Sequence, residues 1–491
     1  MSQGGSDRRS LARGFSAYAL MLLATVGSFA LVRHFGEQLK APEASETVIA
    51  AATQSAGSSG HALLHLLLAL TTIIIAGRIL STLFKYLGQP PVIGEVIAGI
   101  LLGPSLLGWL WPEAYAYILP PSVAPHLGMI AQLGVILYMF CVGLELDHGH
   151  LKHRGHAALA ISHASIVAPF ILGSLLALAL YPVVSSRDVP FTVFALFMGA
   201  AMSITAFPVL ARILSDRGMT RTPLGAIALT CAAIDDVTAW CLLAFVVGVA
   251  QAQLSGAVTV IALAIAYIGF IFLVVRPGWN WLMRLPVMSR PSSTRLAIVL
   301  SAVLLSALAT EWIGIHAIFG AFLLGAIIPH DSRIAKELAA KIEDVVVVLL
   351  LPAFFAYTGM RTQIGLVSGL ENWLWCGLII AVASAGKFGG SLIAARSTGL
   401  GWRESSSLGV LMNTRGLMEL IVLNIGLDLG VISPTLFAMM VIMALVTTLT
   451  TSPLLKWLAP DSLQAPIPAT SLRPSSEGEP RDELAIPSPP G

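Results

Sequence analysis

Apolar residues run along this chain in long blocks parted by short polar interruptions, with little single-residue alternation. Fourteen blocks can be marked: 15–32, 61–83, 91–109, 126–146, 157–182, 191–214, 222–250, 256–275, 296–311, 313–330, 344–360, 372–396, 404–430 and 433–458. About 20 apolar residues suffice for a helix to cross a bilayer. Only helices and closed barrels satisfy their backbone polar groups there, and a barrel would show short alternating segments, which this sequence lacks. The pattern predicts an all-α, polytopic membrane protein. Its transmembrane body is expected over 61–458, after an N-terminal anchor or signal segment and external linker at 1–60. A Pro- and Ser-rich tail at 459–491 is expected to be disordered and cytoplasmic.

Two groups of three blocks repeat one another in opposite orientation. The trio 157–182, 191–214 and 222–250 starts on one side of the membrane, and the trio 372–396, 404–430 and 433–458 starts on the other. Both middle members are interrupted. In "MSITAFPVLARIL", Pro208 removes a backbone hydrogen bond and crowds the preceding turn. In "LMNTRGLMELIVL", polar Asn413, Thr414 and Arg415 run into Gly416. Inverted repeats with broken central helices are the architecture of secondary transporters.

Composition agrees with the membrane assignment: 11% of residues are charged, 56% are hydrophobic and the mean hydropathy is +0.84. A soluble domain carries roughly 25% charged residues. The net charge of +2 is uninformative, but the placement of the positive residues is not. Alternate connections hold Lys85, Lys152, Arg154, Arg217, Arg221, Arg284, Arg290, Arg333, Lys336, Lys341 and Arg403, whereas the opposite set between 84 and 432 holds only Arg187 and Arg361. The positive-inside rule makes the first set cytoplasmic, which places 33–60 outside and both termini inside. Arg8, Arg9 and Arg13 before the first block, and the Ser/Ala/Thr-rich stretch after it, resemble a signal peptide and linker. The block is long for a signal core and no A-x-A site closes it, so an uncleaved anchor is expected. Cys141, Cys231, Cys241 and Cys376 all fall in apolar blocks without metal-binding spacing and are read as small core residues. No metal, cofactor or nucleic-acid partner is expected.

The unusual chemistry begins with "ALTCAAIDDVTAWCLLAF", which sets Asp235 and Asp236 side by side in an apolar block. Adjacent helical residues point about 100° apart, so the two cannot share a proton face to face. Each ionised carboxylate at mid-depth costs ~2.5–3.5 kcal/mol or more unless paired or hydrated. The reading is a cation and proton site, weighed against a structural salt bridge. Lys387, in "AVASAGKFGGSLIAAR", lies nine residues from Arg396, or ~13 Å along a helix. Snorkelling to water over that distance is difficult, so a partner carboxylate is expected, supplied by one of the aspartates. Ser203, Thr205 and the carbonyls freed near Pro208 offer hard oxygen ligands for Na⁺ or K⁺. Arg415 and Glu419, four residues apart, are expected to pair on one helical face and stabilise the interrupted helix. Glu95, in "GQPPVIGEVIAGILLGPSLLG", is assigned a structural or gating role. The stretch "LDHGHLKHRGH", with His148, His150, His153 and His156, is read as a solvated basic loop, with a pH sensor and then a metal site as the alternatives.

These motifs carry a resemblance. "LGQPPVIGEVIAGILLGPSLLG", "GAAMSITAFPVLARIL", "AAIDDVTAW", "AGKFGG" and "MNTRGLMELIVLNIGLDLGVISPTLFAMMVIMALVTTLTTSPLL" resemble the monovalent cation:proton antiporter-2 family, in the branch of plant-type cation/proton exchangers. The resemblance implies a sodium/proton antiporter-like fold with two interrupted crossing helices, and a homodimer whose protomers each have a dimerisation domain and a mobile core. It also implies that Asp236 binds the ion and that Lys387 pairs with Asp235. Plant-type exchangers usually carry Asn where this chain has Asp235, and electrogenic sodium antiporters carry Asp–Asp, so ion preference and stoichiometry stay open. No GxGxxG follows, and glutathione-gated nucleotide regulation is not expected.

The expected function is exchange of Na⁺ or K⁺ for H⁺ by alternating access, in a bacterial inner membrane. A proton-independent cation channel is the alternative. An intramembrane aspartyl enzyme would need aspartates converging from separate helices and a GxGD motif, and a primary pump would need GxxxxGK[ST]; neither motif is present.

Overall fold

A computed structural model describes residues 3–42, 62–145, 155–186, 188–220, 222–251, 254–282, 292–328 and 333–458. The apolar blocks become helices in the order expected. They are α1 (Gln3–Gly36), α2 (Ala62–Tyr86), α3 (Pro91–Leu102), α4 (Ala124–Glu145), α5 (Gly155–Val184), α6 (Phe191–Ser203), α7 (Phe207–Asp216) and α8 (Pro223–Gln251). Then follow α9 (Leu254–Phe270), α10 (Ser292–Ile313), α11 (Ala317–Ile327), α12 (Arg333–Val345), α13 (Leu351–Arg361), α14 (Gly369–Ser397), α15 (Trp402–Met412), α16 (Leu417–Asp428) and α17 (Pro434–Leu458). A π-helical turn, Val346–Leu350, makes α12 and α13 one continuous rod.

Among the described residues, 12 helices are long and apolar enough to cross a membrane, and counting the bent pair α15–α16 as one broken span makes 13. The block 313–330, expected to form a fourteenth crossing, does not form a full-length helix. Gly314 (φ 90) and His316 (φ 77) adopt left-handed backbone conformations and delay the start of α11. At 11 residues, α11 rises only ~16 Å, about half the ~30 Å hydrocarbon thickness.

The helices sort into two bundles. Helices α2–α4 and α10–α13 pack mainly on one another, α1, α5–α8 and α14–α17 form the other group, and α9 touches both through α8 and α10. The second bundle contains both inverted trios. Its tightest seam joins α14 to α5: a Cβ on Gly386 would lie 2.7 Å from the Pro169 Cα, and one on Gly390 would lie 2.6 Å from the Ala164 carbonyl. Those glycines bring Lys387 close enough to α5 and α8 to reach a carboxylate. Helix α1 lies against α5, where the rings of Phe29 and Phe170 are 5.9 Å apart.

The bundles meet through α16 and α13. Arg361 Nη1 pairs with Asp428 Oδ1 at 2.7 Å and donates to Asn424 Oδ1 at 3.2 Å. Asn424 Nδ2 in turn donates to Thr358 Oγ1 at 2.8 Å. Beside this cluster is a cavity of about 310 Å³ lined by Gln132, Glu311, His316, Tyr357, Asn424 and Asp428.

Some expectations find no core role or no description. Cys141, Cys231 and Cys376 are buried, but Cys241 is exposed on the outer face of α8 and is not a core residue. His148, His150, His153 and the side chain of His156 lie outside the described residues, as do 43–61 and 459–491.

Candidate ion-binding and proton-coupling site

The site is built where the two broken helices cross. Helix α6 ends at Ser203, and Ile204 (ψ 137) and Ala206 (ψ 92) are extended before α7 begins. Pro208 occupies the first turn of α7, where a missing N–H leaves no partner wanting. Helix α15 stops at Met412 and α16 restarts at Leu417 after a 43° bend. The unwound segments touch: the Ala206 N–H donates to the Thr414 carbonyl at 3.0 Å.

Asp235 is fully buried and fully partnered. Ser162 donates to its Oδ1 at 2.5 Å, and Ser165 and Thr205 donate to its Oδ2 at 2.5 and 2.8 Å. Lys387 Nζ lies 3.2 Å from the same Oδ2 and donates to Thr205 Oγ1 at 2.5 Å. Lys387 and Asp235 are both 0% exposed, so each makes burial of the other tolerable. Asp235 is therefore the partner of Lys387.

Asp236 points the other way, as the 100° rotation between neighbours requires. It is 1% exposed, yet neither of its oxygens has a hydrogen-bond partner. It faces a pocket lined by Ile204, Ala239, Trp240, Met418 and Val422. That pocket is about 10 Å³, at the lower limit for holding one water, so the site is occluded in this conformation. The Phe207 N–H at the start of α7 lies near the carboxylate, but a buried carboxylate without a formed hydrogen bond is stable only if it holds a proton or a cation.

The third element is the pair predicted on α16. Arg415 and Glu419 are both 0% exposed, with Nη1 2.7 Å from Oε2. The guanidinium also donates to the Ala201 carbonyl at 2.9 Å through Nη1 and to the Met202 carbonyl at 2.6 Å through Nη2. These are carbonyls of the last turn of α6, left without intrahelical donors by the break, and a positive charge is favourable at that helix end. Arg415 thus ties the two interrupted helices together, which goes beyond the local pairing expected.

Removing one member of such a pair leaves a buried charge uncompensated, which costs ~3–5 kcal/mol. Arg415→Ala and Glu419→Ala should each lower the thermal stability of purified protein in choline buffer. The double variant should recover part of the loss, whereas strictly additive losses would show that the two side chains do not interact.

Two predicted residues stand elsewhere. Ser203 donates to the carbonyls of Gly199 and Ile166, at 2.7 and 3.0 Å, and is turned away from Asp236. A serine in the last turn of a helix finds the carbonyl four residues back before it finds an ion. Glu95 sits in the other bundle, where Ser81 lies 3.2 Å from its Oε1. Sequence reasoning missed Ser162 and Ser165, although two serines three apart on one face of the preceding helix were a legible signal. It also missed Thr448, which accepts from the Arg415 N–H at 3.0 Å.

With this geometry in place, the comparisons are specific. Residues 66–457 match the sodium/hydrogen exchanger transmembrane family model, and the chain belongs to that family of integral membrane transporters. It is 47% identical over 397 residues to the Na(+)/H(+) antiporter NhaS4 of Synechocystis sp., covering 80% of this chain and 97% of that one. It is 35% identical to the K(+)/H(+) antiporter 1 of Saccharomyces cerevisiae over 79% of this chain, but it covers only 46% of that longer protein. The sodium proton antiporter MjNhaP1 of Methanocaldococcus jannaschii shares the fold, with a TM-score of 0.57 at 15% identity over 82% of this chain and 98% of that one.

Proposed function

We infer that the protein is a secondary antiporter that exchanges Na⁺ or K⁺ for H⁺ by alternating access, with Asp236 as the shared binding group. The observation that carries this reading is the contrast between neighbours. Asp235 has four partners, whereas Asp236, equally buried, has none. The buried charges at the crossing are three carboxylates (Asp235, Asp236, Glu419) and two cations (Lys387, Arg415). Fully ionised, they leave one net negative charge. A proton on Asp236 cancels it, and so does a monovalent cation beside Asp236. The two cannot bind together without a surplus charge in a low-dielectric site, and that competition couples their movements.

Alternating access requires α16 to move against α13, which means breaking the Arg361–Asp428 and Asn424–Thr358 contacts between the bundles. A homodimer in a bacterial inner membrane completes the reading. The dimer rests on the family resemblance, and the bacterial setting on the likeness to a Synechocystis protein.

The test is cation-dependent dequenching of a pH dye in proteoliposomes, titrated with Na⁺, K⁺ and Li⁺. Saturable proton efflux on adding one of these cations is expected. Cation flux that proceeds with no proton movement, or that ignores an imposed pH gradient, is the signature of a channel and would end the antiport reading.

A further inference from the structure

The two breaks satisfy their freed carbonyls in different ways. At the second break, the Thr414 carbonyl accepts from the Ala206 N–H at 3.0 Å, and the Met412 carbonyl lies 3.3 Å from the neutral Thr205 hydroxyl, whose proton goes to Asp235. At the first break, the Ala201 and Met202 carbonyls meet the Arg415 guanidinium, which also holds Glu419 Oε2. Two carbonyls at the C-terminal end of a half-helix, joined by a buried carboxylate, form the kind of oxygen set with which broken-helix transporters coordinate alkali cations. Here a side chain already supplies the positive charge. It supplies it imperfectly, because Glu419 Oε1 and Arg415 Nε are buried with no partner. The guanidinium reaches only one of the carboxylate oxygens, whereas a spherical ion centred among the ligands can reach both.

We propose that Arg415 is a tethered cation: it fills a second alkali-cation site, formed by the Ala201 and Met202 carbonyls and the Glu419 carboxylate, and so holds the protein to a single exchangeable cation. The proposal rests on the reading of Asp236 as the exchange site and adds what limits the stoichiometry there. Helix α16 supports it geometrically. Met418 and Val422 line the Asp236 pocket, while Glu419, about 100° further round, faces the end of α6. The two oxygen sets lie on different faces of one helix. The charge count supports it as well: losing Arg415 adds one uncompensated negative charge to the cluster, which one monovalent cation restores.

The test is thermal unfolding of the purified full-length protein in choline, Na⁺ or K⁺ chloride at equal ionic strength, so that general screening is constant. Asp236→Asn is compared with Asp236→Asn/Arg415→Ala. The first should not respond to the cation. The second should be destabilised in choline, and its Tm should climb saturably with Na⁺ or K⁺, as binding to the folded state alone requires. Adding Glu419→Gln should raise stability in choline and remove the cation response.

The difference between the first two variants decides the matter. No gain in cation response on removing Arg415 overturns the proposal, as does an undiminished response after Glu419→Gln. A response by Asp236→Asn alone counts against Asp236 as the exchange site and leaves that difference still decisive. If the Arg415→Ala protein cannot be held folded in choline, it is purified in NaCl or KCl and exchanged into choline. Unfolding on cation withdrawal supports the tethered-cation role, and failure to fold in any of the three salts overturns it.

Discussion

Asp236→Asn abolishes cation-driven proton movement in proteoliposomes and leaves a folded protein. The amide has the shape of the carboxyl group but neither ionises nor takes up a proton, so it supplies neither of the two states that the exchange alternates between. The structure makes the expectation strict. Asp236 has no hydrogen-bond partner to substitute for it, and the nearest carboxylate, Asp235, is already committed to Ser162, Ser165, Thr205 and Lys387. Stability should move in the opposite direction to activity. Replacing an unpartnered buried carboxylate by a neutral group removes a desolvation cost, so Tm should equal or exceed that of the wild type in cation-free buffer. The measurements are Na⁺- and K⁺-induced dye dequenching and a thermal melt on the same preparation. Substantial exchange by the Asn variant would remove Asp236 from the site, whatever its stability.

Much of this site was legible in the sequence because the bilayer narrows the choices so severely. A charge in an apolar block must be paired, hydrated or functional, so Asp235, Asp236, Lys387, Arg415 and Glu419 identified themselves, and Pro208 and Gly416 marked where helices break. The 100° step between neighbours showed that the two aspartates must face different ways, but which of them pairs with Lys387 came from the family resemblance. Tertiary contacts to backbone atoms were hidden. The Ala201 and Met202 carbonyls carry no mark in the sequence, and neither the second function of Arg415 nor the inward bonding of Ser203 is visible without them. The contact between the bundles was hidden for a related reason. Arg361, Asn424 and Asp428 look like ordinary polar residues near helix ends until the fold brings α13 against α16. The block 313–330 misled because hydrophobicity reports burial and not helix length, and α11 is a short helix almost entirely packed within the protein.

Asp235→Asn leaves exchange running but makes it insensitive to membrane potential. In the observed arrangement Lys387 is held by Asp235, at 3.2 Å, while Asp236 stands unpartnered. We propose that when a cation binds at Asp236, its field weakens the hold on the neighbouring ammonium and Lys387 gives up its proton as well. Two protons then leave for each cation that binds, so the loaded bundle carries one negative charge more than the protonated one. The asparagine variant changes this count. A lone buried ammonium without a carboxylate is too costly to persist, so Lys387 stays neutral throughout and one proton is exchanged for one cation. The local fold should survive, because the hydroxyls of Ser162 and Ser165 rotate to accept from an amide as readily as they donate to a carboxylate. The consequence is quantitative. One net charge crossing ~100 mV is worth ~2.3 kcal/mol, which is about fifty-fold in the cation gradient sustained, since 1.4 kcal/mol is tenfold. Proteoliposomes clamped with K⁺ and valinomycin, with Na⁺ as the transported ion, should show wild-type exchange that changes with the imposed potential and Asp235→Asn exchange that does not. Wild-type exchange that ignores the potential would reduce Asp235 to a structural partner of Lys387 and leave Asp236 as the only group that changes its charge during the cycle.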